Sequence, residues 1–370
     1  MKIAVIRQRY VSDGGAEKFV YQALMKLRET DVANVSVLAR KWKEAQGVDF
    51  IEVNPFYMGR LWRDWGFSLG VQRYMRTHEG IIFQSHERIP GCHIFRAGDG
   101  LHKCWLDIKR RKWGATDGIS LYHQFVLSQE RKLFASEHLR FVICNSKMVM
   151  KQIEENFPQA TDKCKLIYNG VDLVKFSPGK EEERKRVRQS LNLSATEPVL
   201  VYVGSGFERK GVSSIIDVMA ASSHRFSAIV VGNDKNLDKY KKIAEGKGLK
   251  KNIYFIGKAD PKPFYACADG FILPTFYDPM PNTALEALAS GLPVLTTKQC
   301  GAAEIIRPGV TGFVFDAFNQ IEMTQAIEAW LDSKDHWIAM KEAARLTALN
   351  FGWDECLKKM IDLYRSPVFS

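Results

Sequence analysis

Two acids and two bases carry the most specific chemistry in this chain. Asp278 and Glu286 stand eight positions apart in a segment running from Pro274 to Ser290, and Arg209 and Lys210 are adjacent in Gly204-Ser205-Gly206-Phe207-Glu208-Arg209-Lys210-Gly211. Pro281 suits the first position of a helix that continues to Ser290 and is stopped by Gly291 and Pro293. Glu286 then lies among Ala284, Leu285, Ala287, Leu288 and Ala289. A carboxylate there is costly to bury unless it gains partners, and ribose hydroxyls would supply them. Asp278 precedes the helix in a loop, eight positions before Glu286, so the two acids are expected to hold different parts of an elongated ligand, one a sugar and the other a ribose.

The cation pair is read at a helix N-terminus, where the dipole favours acids over bases, so an anion is expected beside it. A diphosphate fits, with Arg209 as a fork and Lys210 as a point charge. The plain alternative is two solvated cations near a loop. Near the start of the chain, Asp13-Gly14-Gly15-Ala16-Glu17 opens an amphipathic helix, and paired glycines at a helix start let backbone N–H groups approach an anion such as a phosphate. The G-x-G-x-x-G fingerprint is absent, and the pair reads equally as a turn.

These segments need a scaffold of strands ending in loops. Short β-branched runs alternate with helical periods, the pattern of parallel sheets covered by helices. Strands are expected at residues 2–7, 34–39, 80–84, 92–96, 141–145 and 165–168, then at 198–203, 226–232, 252–256, 270–274, 292–297 and 311–315. The chain has 370 residues, 46% of them hydrophobic, which suits two domains, each doubly wound. Pro178-Gly179 and the charged run Lys180 to Arg186, read as a solvated helix face, mark entry into the second domain. The helix from Trp353 to Arg365 is one element too many for the second sheet and is expected to cross back to the first. Two such domains would face each other across a cleft.

Composition removes several classes. No apolar run reaches the ~20 residues of a membrane span, and the opening Met1 to Arg7 reads as a core strand rather than a signal. Seven cysteines without a Cys-x-x-Cys argue for reduced thiols and against zinc. The net charge of +11 is uneven: residues 1–170 carry 27 cations against 18 acids. Nucleic acid is a possible partner for such charge, but no recognised reading motif accompanies it. Lys103 to Trp113 mixes five cations with two tryptophans, which suits an anionic lipid surface; the alternative is a solvated basic loop.

Asp278-x7-Glu286, Gly291-Leu292-Pro293-Val294, Arg209-Lys210-Gly211 and Gly14-Gly15 together resemble the retaining GT-B glycosyltransferases of family 4. Tyr168 to Asp172, Ala266 to Leu273 and Phe351-Gly352-Trp353 extend the resemblance over essentially the whole chain. Gly91 to Asp99 and the basic segment after it resemble the lipopolysaccharide core glucosyltransferases of that family.

The resemblance implies an α/β GT-B fold with an acceptor domain at 1–171, a nucleotide-sugar domain at 172–350 and a returning helix at 351–370. It implies a retaining hexosyl transfer from a UDP-sugar, UDP-glucose by family analogy, to a phosphorylated lipid-linked glycan, on the cytoplasmic face of the inner membrane. A capsule or exopolysaccharide transferase and a sugar-nucleotide 2-epimerase are the neighbouring readings. Glu286 would bind ribose, Arg209 and Lys210 the diphosphate, and Lys258 the base and nearby phosphate. Gly14 and Gly15 would approach the phosphates, Lys175 would add a cation at the hinge, and Met280, Pro281, Asn282 and Thr283 would complete the donor site with Asp278. The family's first acid is usually Glu; Asp278 is one methylene shorter, a departure that bears on the donor sugar rather than the donor class. No metal or cofactor is required, because side-chain cations and helix N-termini can stabilise the leaving group. Glu17, His86 and Asp99 are the acceptor candidates. Asp99 is first choice for receiving or orienting the acceptor hydroxyl's proton and His86 second, although Asp99 reads equally as a turn residue between glycines.

Overall fold

Runs with no polar face build the sheets. Val199–Val203 and Ser227–Val231 are buried along their whole length, as strands covered by helices on both faces must be. The computed structural model describes residues 1–9, 15–30, 33–42, 48–114 and 120–369. Its contacts divide the chain into unit 1, Met1–Gly170 with Asp354–Ser370, and unit 2, Val171–Trp353. These borders compare with the 1–171, 172–350 and 351–370 expected from sequence.

Unit 1 holds β1 (Lys2–Ile6), β2 (Asn34–Ala39), β3 (Asp49–Glu52), β4 (Ile81–Ser85), β5 (Ile94–Arg96), β6 (Phe141–Cys144) and β7 (Cys164–Leu166), in the order β3-β2-β1-β4-β5-β6-β7. Unit 2 holds β8 (Val199–Val203), β9 (Ser227–Val231), β10 (Ile253–Gly257), β11 (Gly270–Leu273), β12 (Val294–Thr297) and β13 (Gly312–Phe315), in the order β10-β9-β8-β11-β12-β13. The ladders are parallel in both sheets, for example Val5 opposite Val37 and Gln84, and Val201 opposite Ile229 and Phe271. Each is a Rossmann-like α/β sheet. The strand order reverses between β1 and β4 in unit 1 and between β8 and β11 in unit 2, and ligands of such sheets bind beyond the carboxyl ends at that reversal.

β3 was not expected. It is an edge strand of sequence Asp-Phe-Ile-Glu with little burial, so it lacks the apolar run that betrays a covered strand. Charged, short edges are how sheets avoid further pairing.

The segment Asp354–Ser370 completes unit 1. Tyr364, 1% exposed, donates its hydroxyl to Gln84 Oε1 at 2.8 Å, next to the end of β4. The helix Gly59–Thr77 is apolar on two sides: Phe67 and Val71 are buried, whereas Leu61, Trp62, Trp65 and Leu69 face solvent, preceded by exposed Phe56 and Met58. Among the described residues no helix is long and apolar enough to cross a membrane. The seven cysteines are free thiols, six of them buried.

Tyr364→Phe leaves Gln84 with a buried unpaired carbonyl and is expected to destabilise unit 1 by about 1–3 kcal/mol, read as a lower midpoint in urea with an unchanged m-value.

Candidate active site

In unit 2 the two loops at the β8/β11 reversal bring Asp278 to Arg209 and Lys210, whereas Glu286 lies on the helix that follows. After β8, Phe207–Lys210 forms a single helical turn, and Gly211 at φ +77° separates it from the helix Val212–Ala221. A Cβ on Gly211 would lie 2.1 Å from Pro274 O, so only glycine allows this loop to meet the segment after β11. The Phe276 amide donates to Arg209 O at 2.9 Å, and the Arg209 guanidinium donates to Tyr277 O. Asp278, 8% exposed, then sits beside both cations, with Oδ2 3.6 Å from Arg209 Nη1 and 3.4 Å from Lys210 Nζ.

Arg209 and Lys210 end the short turn Phe207–Lys210, and Gly211 alone separates them from the N-terminus of the helix Val212–Ala221, where the sequence placed them. The N-terminus of the turn itself is met by Asp234, whose Oδ2 accepts from the Phe207 amide at 2.9 Å. The anion expected beside the cations is present in the chain itself, as Asp278.

The helix carrying Glu286 spans Asn282–Ala289. Pro281 precedes its first residue, with φ −70° and ψ 123°, instead of occupying the first helical position. Ala284, Leu285, Ala287, Leu288 and Ala289 are buried and Glu286 is half-buried. Its Oε2 accepts from the hydroxyl of Tyr265 at 3.2 Å, and burial, reinforced by Glu286, raises the Tyr265 pKa well above the usual phenol range. Thr283 Oγ1 is shielded from solvent without a hydrogen-bond partner among the described residues, in the first turn, where N–H groups have no intrahelical acceptor. Met280 is buried between the two acids in sequence.

Lys258 directly follows β10 and is exposed. Lys175 is exposed on the turn that begins at Asp172, with its ammonium 5.2 Å from the Phe176 ring centroid. Among the described residues the ion pairs of Asp278 are with Arg209 and Lys210, not Lys175. Gly14 lies outside the described residues, and Gly15 begins the helix Gly15–Glu29.

In unit 1 the β1/β4 reversal gathers the acceptor candidates around Arg7, which follows β1. Its guanidinium lies 2.9 Å from Glu17, 3.6 Å from Glu87 and 3.2 Å from Asp99. Burial opposes the Arg7 charge, but Glu87, Asp99 and Glu17 outweigh it and raise its pKa. Burial likewise pushes Asp99 up, but Arg7, Arg88 and Arg96 pull it below the ordinary carboxylate value. Asp99, half-exposed, is therefore an ionised acceptor of hydrogen bonds.

His86 is held differently. With the Gln84 carbonyl taken by Tyr364, the Gln84 amide faces His86 Nε2 at 3.0 Å, so that nitrogen accepts and the proton resides on Nδ1. Burial, then Arg96 and Arg7, drives the His86 pKa well below 6.5. Its Nε2 lone pair is occupied, which leaves Asp99 the better placed of the two to receive a proton.

Among the described residues no group of three or more His, Cys, Asp or Glu is arranged to hold a metal. A model of the Glycosyltransferase Family 4 matches residues 13–175, and one of Glycosyl transferases group 1 matches 183–347. The chain belongs to the family 4 glycosyltransferases. Within that family, the lipopolysaccharide glucosyltransferase WaaG of Escherichia coli strain K12 is 24% identical over 357 residues, 93% of each chain. A D-inositol 3-phosphate glycosyltransferase of Corynebacterium urealyticum is 25% identical over 238 residues, 61% of this chain and 56% of that one. The WaaG crystal structure matches with a TM-score of 0.84 at 21% identity, covering 98% of this chain and all of that one. Anabaena Alr3699/HepE in complex with UDP-glucose matches at 0.74 and 18%, covering 98% and 99%. The fold is therefore GT-B, and the chain is a glycosyltransferase by family.

Sequence reasoning missed Arg7, Tyr265 and Asp234. Arg7 had a readable signal, since it directly follows the first strand, at the carboxyl end where ligands of such sheets gather. The others are partners defined only by folding.

Because the unfolded chain protonates His86 below about 6.5 and the folded one does not, stability falls as pH drops through that value, by up to about 1.4 kcal/mol per pH unit. His102, pulled to about 3 by burial, Arg88, His123 and Arg60, acts in the same sense. Urea midpoints measured from pH 7.5 to 5.5 are expected to fall, and His86→Asn to flatten the fall.

Proposed function

We propose that the chain transfers a hexosyl group, glucose, from a UDP-sugar held in unit 2 to a lipid-linked phosphorylated glycan, such as a lipopolysaccharide core, held in unit 1. The group of Arg209, Lys210 and Asp278 beyond β8 and β11, with Glu286 on the following helix, carries this reading. It offers adjacent cations for a diphosphate and a half-buried carboxylate for ribose hydroxyls. Lys258, Met280, Pro281, Asn282 and Thr283 complete the donor surface. UDP and glucose are favoured by the relatives, WaaG being a lipopolysaccharide glucosyltransferase and HepE having been seen with UDP-glucose.

Transfer with retention follows the family pattern. As the bond from C1 to the diphosphate oxygen breaks, its electron pair stays on the diphosphate, where Arg209 and Lys210 oppose the new charge. The acceptor oxygen bonds to C1 on the same face, and Asp99 receives or orients the hydroxyl proton, with Glu17 and His86 nearby. Side-chain cations take the electrostatic part that a metal plays elsewhere, so activity is expected to survive chelation by EDTA. The helix His102–Trp113, with Arg110, Arg111 and Lys112 in its last turn and no buried residue, supplies the contact with an anionic membrane surface. The exposed apolar side chains of Gly59–Thr77 support that placement.

A panel of sugar nucleotides tested by thermal shift and by transfer decides the donor. UDP-glucose is expected to raise the melting temperature, and silence with every nucleotide would overturn the reading. Glu286→Ala is expected to abolish the shift, and Arg209→Ala to lower kcat by about 10²-fold or more while some binding survives. An altered sugar nucleotide released without acceptor would indicate an epimerase instead.

A further inference from the structure

We propose that Asp278 is a resident counter-ion that competes with the donor's diphosphate for Arg209 and Lys210, and thereby sets how readily the nucleoside diphosphate leaves after transfer. This rests on the assignment of those cations to a diphosphate. The geometry gives Asp278 a hold that is permanent but loose. Its amide donates to Gln299 O at 3.3 Å and its carbonyl accepts from Gly301 N at 2.8 Å, so the backbone is pinned on both sides. Its carboxylate stands 3.4 and 3.6 Å from the two cations, well beyond the ~2.7–2.9 Å of a charge-assisted hydrogen bond. The cations are oriented and partly neutralised but not saturated. A phosphate oxygen that reaches them at full hydrogen-bond distance wins, and the carboxylate remains beside them to reclaim them.

A second observation points to the same place. The hydroxyl of Tyr202, on β8, is fully buried and has no hydrogen-bond partner among the described residues. It lies 3.4 Å from the position a Cβ on Gly204 would occupy, and Lys210 Nζ lies 3.1 Å from that position. An idle donor next to Lys210 marks a site whose polar groups are not all satisfied by the chain itself.

Competition matters most for the product. Once the sugar leaves, the diphosphate has gained a unit of negative charge, so bare cations would bind product more tightly than donor. A carboxylate competing for the same pair weakens both but opposes that trap.

The test is calorimetric binding of UDP and of inorganic pyrophosphate to the wild type, Asp278→Asn and Asp278→Glu, with Asp278→Ser as a second neutral variant should the first fail to fold. Asp278→Asn is expected to lower Kd for both ligands by about tenfold or more, the scale of coupling between close charges. Its kcat is expected to fall without a rise in donor KM, with a pre-steady-state burst showing release as the slow step. Asp278→Glu is expected to return Kd toward wild type, which a merely structural role would not require. Wild type that binds both ligands while the neutral variants bind them equally or more weakly overturns this proposal alone. Wild type that binds neither overturns the parent assignment and this one with it.

Discussion

Two cations cannot be packed side by side in a partly dry loop unless something answers their charge, and here Asp278 does so. At ~4 Å a single pair of charges interacts with about 4 kcal/mol at the effective dielectric of a protein surface, so the carboxylate's placement is worth structural effort. Much of the rim of the second sheet serves it. Gly211 gives up its side chain so that the turn Phe207–Lys210 can meet Pro274. Thr275 O accepts from Thr297 Oγ1, which ties the acidic segment to the end of β12. Gly301 holds the carbonyl of Asp278 from the far side.

The first unit places charge at the equivalent position in its own sheet. There Arg7 lies between three acids, Glu17, Glu87 and Asp99, and Arg88 and Arg96 add positive charge around Asp99. In both sheets a strand end and the next loop across the strand-order reversal thus supply opposite charges. Part of the surplus positive charge of residues 1–170 lies in the last turn of His102–Trp113.

The scaffold was readable because covered parallel strands announce themselves as uninterrupted apolar runs, and β8, β9 and β11 fall within a residue or so of where those runs placed them. β3 was not readable, because an exposed edge has no such run. At the site, the identities of Arg209, Lys210, Asp278 and Glu286 followed from residue type and spacing, but their pairing did not: a linear reading gave the cations a ligand and the acid another, and only the fold joins them through the Gly211 contact. Asn282–Ala289 shows the limit of cap rules, since Pro281 fits both the first helical position and the residue before it. The solvent-facing side of Gly59–Thr77 escaped notice because aromatic residues spaced along a helix read as core until the other side is found to be buried already.

Unit 1 combines Met1–Gly170 with Asp354–Ser370, and its closing piece includes Tyr364, which sits against Gln84 and through it fixes the tautomer of His86. On the ribosome this piece emerges only after every residue of unit 2, at ~5–20 residues per second. The later-made unit is thus complete before the earlier one, which must wait as an open intermediate with the bed for that helix uncovered. The closure of unit 1 arrives last in biosynthesis, and a nascent or prematurely ended chain holds a finished unit 2 and an unfinished unit 1.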